Sequence, residues 1–297
     1  MSNEFSEFSH ISDSTSIPAA VKVWQLYLAD QDKSDYTIKA FLGDIGLLTK
    51  FLPPDAVIGD ITTQDLNHFV DWLEKGRGKN IPCSPKSLSR RITTLKSFFR
   101  WLFEHGRIST DPADKIVQHT VISPLPETLD SNELELVLEA SKKFRLTKKP
   151  DVRPYTLLKL LLETGIKKSE CLNIKRSHIE TSGENYLFVR YADGRDRNKE
   201  RKIPLSNEFA EVFHEYLDQY DPDDVVFPWS PRRLEYILED ISNAAGIKKH
   251  LSFSMCRWNS ALIDWNNGVD KDTIRQKLGI SKIQWREIKM KLQQLAK

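Results

Sequence analysis

From Val121 to Asp130 the chain reads VISPLPETLD, with two prolines and no helical period, whereas apolar residues recur at helical spacing on both sides. A chain interrupted in this way folds as two compact units with separate cores, and 297 residues suffice for two. The pattern predicts a loose acidic tail over residues 1–18, a helical domain over 19–120, an extended linker over 121–130 and a second domain over 131–297. The tail is Ser-rich and carries Glu4, Glu7 and Asp13 without a Lys or Arg before residue 20.

In the first half, VKVWQLYLADQ and YTIKAFLGDIGLLTKFL have helical apolar spacing, and Pro53 and Pro54 end the second. ITTQDLNHFVDWLEKG follows with Thr62 or Thr63 as N-cap. SPKSLSRRITTLKSFFRWLFEHG has a capping Ser84, Pro85 in its first turn and a closing Gly106. At 100° per residue its Leu88, Ile92, Leu95, Phe99 and Leu102 form one stripe. Lys86, Arg90, Thr93, Ser97 and Arg100 form the opposite one. Forked guanidinium groups and short hydroxyls both donate hydrogen bonds to phosphate oxygens, so this second stripe is a candidate DNA-backbone surface; a solvated helix face is the alternative.

The second half restarts with SNELELVLEASKK, capped by Ser131 or Asn132, and RPYTLLKLLLETG, ending at Gly165. ENYLFVRYADGRDRNKERKIPLS alternates like a hairpin from about Tyr186 to Leu205 around a charged tip. The remainder, through NEFAEVFHEYLDQY, PRRLEYILEDISNAAG, FSMCRWNSALIDWNNG, KDTIRQKLG and a final basic segment, is helical. The expected fold class is therefore mainly α with a small antiparallel sheet.

Net charge is only +2, but residues 271–297 carry eight Lys or Arg against Asp272 and Glu287, a candidate phosphate-binding surface. No apolar run approaches the ~18 residues of a membrane span, and the N-terminus lacks the pattern of a secretory signal. Cys83, Cys171 and Cys256 are widely spaced, odd in number and without a CxxC or His pairing. That suits reduced core thiols and an intracellular protein, and no metal or other cofactor is expected.

The order of segments resembles the tyrosine recombinase (phage integrase) family, including the Xer-type recombinases, over roughly residues 20–292. TLKSFFRWLFEHGRISTDPADKI is similar to the family's helical, SAM-like core-binding domain, and LPETLDSNELELVLEAS to the start of its catalytic domain. TGIKKSECLNI resembles the first active-site box, NKERKIPLSNEFAEVFHEYL the hairpin and following helix, and CRWNSALIDWNNGVDKDTIRQKLG the last boxes. The resemblance implies a chemistry in which a tyrosine attacks a backbone phosphate and two arginines neutralise it. A hairpin lysine protonates the leaving oxygen, and histidines assist proton transfer.

Carried over position by position, the first arginine is Lys167, with Glu170 as the acidic residue of the same box. The hairpin lysine falls on Arg195 or Arg197. The second arginine is Arg257, Ser254 and Trp258 stand at histidine positions, Ile280 at a His or Trp position, and Lys289 in the register of the nucleophile. The last tyrosine of the chain is Tyr236, so no register shift supplies a tyrosine beyond it. A lysine amine is protonated near neutral pH, and Ser281 is the nearest hydroxyl. The expectation is a DNA-binding protein with a recombinase fold and no intact catalytic set. It would contact double-stranded DNA phosphates through Lys86, Arg90, Thr93, Ser97, Arg100, Lys167, Arg195, Arg197 and Arg257.

The alternatives are a recombinase with a non-standard nucleophile or one working in a mixed complex, and a protein-interaction module. In the last helix Trp285, Ile288, Leu292 and Leu295 form an apolar stripe that packs either on its own domain or on a neighbouring protomer or active recombinase partner. The resemblance implies a cytoplasmic, nucleoid-associated location.

Overall fold

The computed structural model describes residues 11–78, 81–118 and 123–296. It divides into two compact units, residues 1–123 and 124–297. The first ten residues of the expected tail and residues 121–122 of the expected linker lie outside the described residues. The rest of the tail does not stay loose. Ile11 and Ile17 are buried, and Arg107 donates to the Ile11 carbonyl at 3.2 Å, because these two isoleucines complete the first core.

The first unit is built from α1 (Ile17–Asp30), α2 (Asp35–Phe51), α3 (Thr63–Glu74) and α4 (Pro85–Glu104). Their starts follow from local chemistry. Ser34 and Ser84 accept from the third backbone N–H of α2 and α4, and Thr62 forms a reciprocal capping box with Asp65. The core stripe expected on α4 is inside: Ile92, Leu95, Phe99 and Leu102 are buried, with Phe98 and Trp101 beside them. Trp24 of α1 lies edge-on to Phe98, with ring centroids 5.1 Å apart, and each such side chain stabilises by about 1.5–3 kcal/mol on burial.

The second unit begins with α5 (Ser131–Lys143), α6 (Arg153–Thr164) and the single turn α7 (Lys168–Cys171). Asp130, rather than Ser131 or Asn132, caps α5: it accepts from Glu133 N–H at 2.8 Å and Glu133 returns the bond at 3.0 Å. An ionised carboxylate at the positive end of the helix accepts more strongly than a hydroxyl. The hairpin pairs β2 (Tyr186–Val189) with β3 (Arg201–Pro204), from Tyr186 opposite Pro204 to Val189 opposite Arg201. A third antiparallel strand, β1 (Ile179–Glu180), adds to β2 and at two residues is too short to leave a sequence period. Between β2 and β3 the charged tip winds into a 3-10 turn, Gly194–Lys199.

Then follow α8 (Asn207–Tyr220), α9 (Pro231–Ala245), α10 (Phe253–Asn266), α11 (Lys271–Lys277) and α12 (Lys282–Leu295). The stripe of α12 packs on its own unit. Leu292 is buried with Ala261, Ile274, Leu278 and Ile280, and Trp285 and Ile288 lie against them. No helix among the described residues is long and apolar enough to cross a membrane.

Candidate nucleic-acid interface

Helix α6 stops at Gly165, whose φ of +60° is the left-handed conformation that glycine adopts at least cost. The chain turns through buried Ile166 and re-enters a helix at α7, which swings Glu170 inward. Its side chain is only 1% exposed and meets donors from three separate segments. The Lys167 backbone N–H donates at 2.8 Å, the Tyr191 hydroxyl donates from just beyond β2, and Arg201 of β3 grips both carboxylate oxygens at 3.0 and 3.1 Å. Burial disfavours the charged carboxylate, but the Arg201 fork and the other donors hold it below the usual value of 4.5. Burial and the bond to Glu170 push the Tyr191 hydroxyl up to about 12.

Two more cations share this neighbourhood. Arg257, from the second turn of α10, donates to the Gly165 carbonyl and, at 2.6 Å, to the Leu278 carbonyl. Among the described residues no carboxylate lies within ion-pair distance of it. Burial brings its guanidinium down to about 10, against partial support from Glu170 and with Arg201 pushing the same way as burial. Lys167 is lowered as well, first by burial and then by Arg257, Arg201 and Lys199, while Glu170 works in the opposite sense. Its ammonium has no hydrogen-bond partner among the described residues. Glu170 thus pairs directly with one of three cations, Arg201, and compensates Lys167 and Arg257 only in part, leaving them without an ion-pair partner among the described residues. Such a pair favours a bound anion, because an added negative charge relieves their mutual repulsion and their lost hydration.

The remaining expected positions are distributed differently. Arg195 is exposed and chelated by Asp193, with Nη2 2.6 Å from Oδ2. Arg197 is exposed at the rim of a concavity of about 850 Å³ that is also lined by Glu170, Tyr191 and Lys175. Ser254 is exposed in the first turn of α10. Trp258, half-buried, and Ile280, buried, pack in the C-terminal apolar cluster, and Lys289 is half-buried on α12. Among the described residues no three His, Cys, Asp or Glu side chains are grouped to hold a metal.

On α4, Lys86, Arg90, Thr93 and Arg100 are exposed and Ser97 half-buried. Two of these are already engaged. Arg90 grips Asp44, and Thr93 Oγ1 accepts from Gln118 at 2.9 Å while donating to the Ser89 carbonyl. Lys86 and Arg100 have no hydrogen-bond or ion-pair partner among the described residues.

Arg201 and Tyr191 are the site residues that the sequence reading missed. Neither shares a local motif with Glu170, from which they stand 31 and 21 residues away. The only signal was indirect: a buried carboxylate needs a cation.

Comparison with known proteins agrees with this architecture. A profile of the phage integrase family matches residues 127–288, and one of the phage integrase N-terminal SAM-like domain matches residues 21–106. Tyrosine recombinase XerD of Listeria innocua is 26% identical over 276 residues, which cover 88% of this chain and 89% of that protein. Tyrosine recombinase XerC of Bacillus subtilis is 25% identical over 282 residues, or 89% and 88% of the two chains. A lambda integrase dimer bound to a COC' core site superposes with a TM-score of 0.73 at 17% identity, covering 93% of this chain and 77% of that one. XerH bound to difH superposes at 0.68 with 18% identity, covering 95% and 84%. With the two profiles falling in order on the two units, and the first-box segment and the hairpin meeting at Glu170, the chain belongs to the phage integrase family.

Proposed function

We propose that this protein binds double-stranded DNA through a recombinase fold and holds a backbone phosphate without cutting it, acting as an accessory or regulatory factor in DNA recombination or integration. The observation that carries this reading is the pair Lys167 and Arg257, only partly compensated, beside a Glu170 whose oxygens are taken by Arg201. An ammonium and a guanidinium bind phosphate oxygens and displace counterions, which makes the affinity steeply salt-dependent. Cleavage would need a nucleophile, and in the family register that position is Lys289, with no tyrosine after Tyr236. Lys86 and Arg100, and Arg197 at the hairpin, are the further cations suited to the backbone. The chain would work in the cytoplasm at the nucleoid.

Relatives bear on the partners. The solved lambda integrase complexes include a dimer on a core site and a tetramer on a Holliday junction. By analogy this chain would assemble with a second copy or an active recombinase. Ile283 and Met290, exposed on the outer face of α12 at 77% and 58%, are the proposed contacts.

The test is duplex binding across a salt series, beside Lys167→Ala/Arg257→Ala. A steep slope in the parent and a shallower one in the variant supports the reading. Equal slopes overturn the assignment of this pair.

One observation favours a second reading, an active strand transferase with a non-standard nucleophile or one working in a mixed complex: the relatives this chain resembles over 88% of its length are named tyrosine recombinases. A nicked suicide substrate separates the readings. A covalent protein-DNA band that survives denaturant establishes the enzyme, whereas absence of any such band supports binding alone.

A further inference from the structure

We infer that Arg201 is a positioning residue of the anion site, whose work is to keep Glu170 from neutralising Lys167 and Arg257. The inference rests on the proposed phosphate contact of that pair. Glu170 is the carboxylate gripped by Arg201 at the centre of the cluster, and without a dedicated counter-ion its nearest cations would be Lys167, Arg257 or both. A carboxylate paired with them would occupy the electrostatic place of the phosphate.

Arg201 is built for this task rather than for contacting DNA itself. Its side chain is 9% exposed. Of its five N–H donors, two go to Glu170, Nε to the Lys277 carbonyl at 2.6 Å and Nη1 also to the Lys199 carbonyl at 3.1 Å. The close approach of the Gly279 backbone shows how tightly the group is seated: a Cβ on Gly279 would lie 2.5 Å from Arg201 Nη1. The hairpin therefore delivers a guanidinium whose hydrogen-bonding capacity is nearly spent inside the protein, and its electrostatic effect is to cancel one negative charge next to two cations that have no ion-pair partner among the described residues.

A residue that merely holds the fold together and one that screens a carboxylate differ in their double variants. Removing Arg201 alone leaves Glu170 charged, still held by the Lys167 N–H and the Tyr191 hydroxyl, with its negative charge available to Lys167 and Arg257. Removing both charges restores the original balance.

The experiment compares duplex affinity and its salt slope for the full chain, Arg201→Met, Glu170→Gln, Glu170→Gln/Arg201→Met and Lys167→Ala/Arg257→Ala. Arg201→Met is expected to weaken binding about tenfold and flatten the slope, and the double variant to return within about threefold of the parent. Glu170→Gln alone, which frees the Arg201 charge, is expected to bind at least as tightly as the parent. If Arg201→Met does not fold, Glu170→Gln decides: undiminished affinity supports the role and weakened affinity overturns it. A double variant no better than Arg201→Met also overturns it. If Lys167→Ala/Arg257→Ala binds like the parent, the phosphate contact itself is wrong, an outcome separate from failure of the screening role.

Discussion

Asp44 and Arg90 stand 46 residues apart and meet through both guanidinium nitrogens, with Nη2 2.8 Å from Oδ1. Asp44 is buried, and it also accepts from Thr94 at 2.9 Å and has Arg91 Nε at 3.4 Å. Arg90 therefore serves the first core as well as facing outward. Arg90→Ala is expected to lower the stability of the first unit by about 1–2 kcal/mol, less than the loss of a fully buried pair because Arg90 is partly exposed and Arg91 remains. Thermal unfolding checks this.

Lys86 and Arg100 behave differently, since neither has a hydrogen-bond or ion-pair partner to lose among the described residues. Lys86→Ala/Arg100→Ala is expected to leave the melting temperature within a degree or two while lowering the log-log salt slope of DNA binding by about two. An unchanged slope would remove α4 from the interface.

The Lys167 ammonium, lowered by burial and by its cationic neighbours, makes binding sensitive to alkali. A phosphate favours the charged amine, so affinity is present below the free-state pKa and declines as pH rises through it, starting below the ordinary lysine value of 10.5. Lys167→Arg is expected to move that decline to higher pH, where it follows the Arg257 guanidinium, which burial brings down to about 10. Affinities measured from neutral pH upward for both proteins provide the check, and parallel curves would exclude Lys167 as the titrating contact.

Glu170 sets an acid limit on stability. Its folded-state value lies below the usual 4.5, so its contribution is complete above 4.5 and is lost as pH falls through the lowered value. Glu170→Gln is expected to flatten this part of the pH-stability curve, measured by denaturant unfolding in acidic buffers.

Gly279 and Gly268 offer a paired test of the seat of Arg201. Both have positive φ, +58° and +73°, but a Cβ at Gly268 meets nothing within 4 Å whereas one at Gly279 collides with the guanidinium. Gly268→Ala is expected to cost about 1 kcal/mol from backbone strain alone, and Gly279→Ala roughly twice that or more. Only Gly279→Ala should also weaken DNA binding.

The helices of the first unit were legible because their signals are local. Thr62 and Ser84 mark starts, and the Ile92, Leu95, Phe99 and Leu102 stripe marks the buried face within one turn-by-turn pattern, whereas the Ser34 cap was not read from the sequence. The hairpin was legible from alternation, and Lys167, Glu170 and Arg257 from the order of the family's boxes. The cap of α5 was displaced by one residue because Asp130 and Ser131 are both good caps and backbone geometry chose between them.

Sequence alone determined which side chains could carry charge and which segments would be helices. It did not determine who pairs with whom. Arg90 looked free until α2 brought Asp44 beneath it. Arg201 looked like one more hairpin cation until β3 carried it onto Glu170. The reason is physical: a helical or strand period is written within a few residues, but an ion pair depends on which distant segments the cores bring within about 4 Å, and on how much water burial removes from around them. The tertiary structure therefore decided that Arg201 pairs with Glu170 while Lys167 and Arg257 beside it have no ion-pair partner among the described residues.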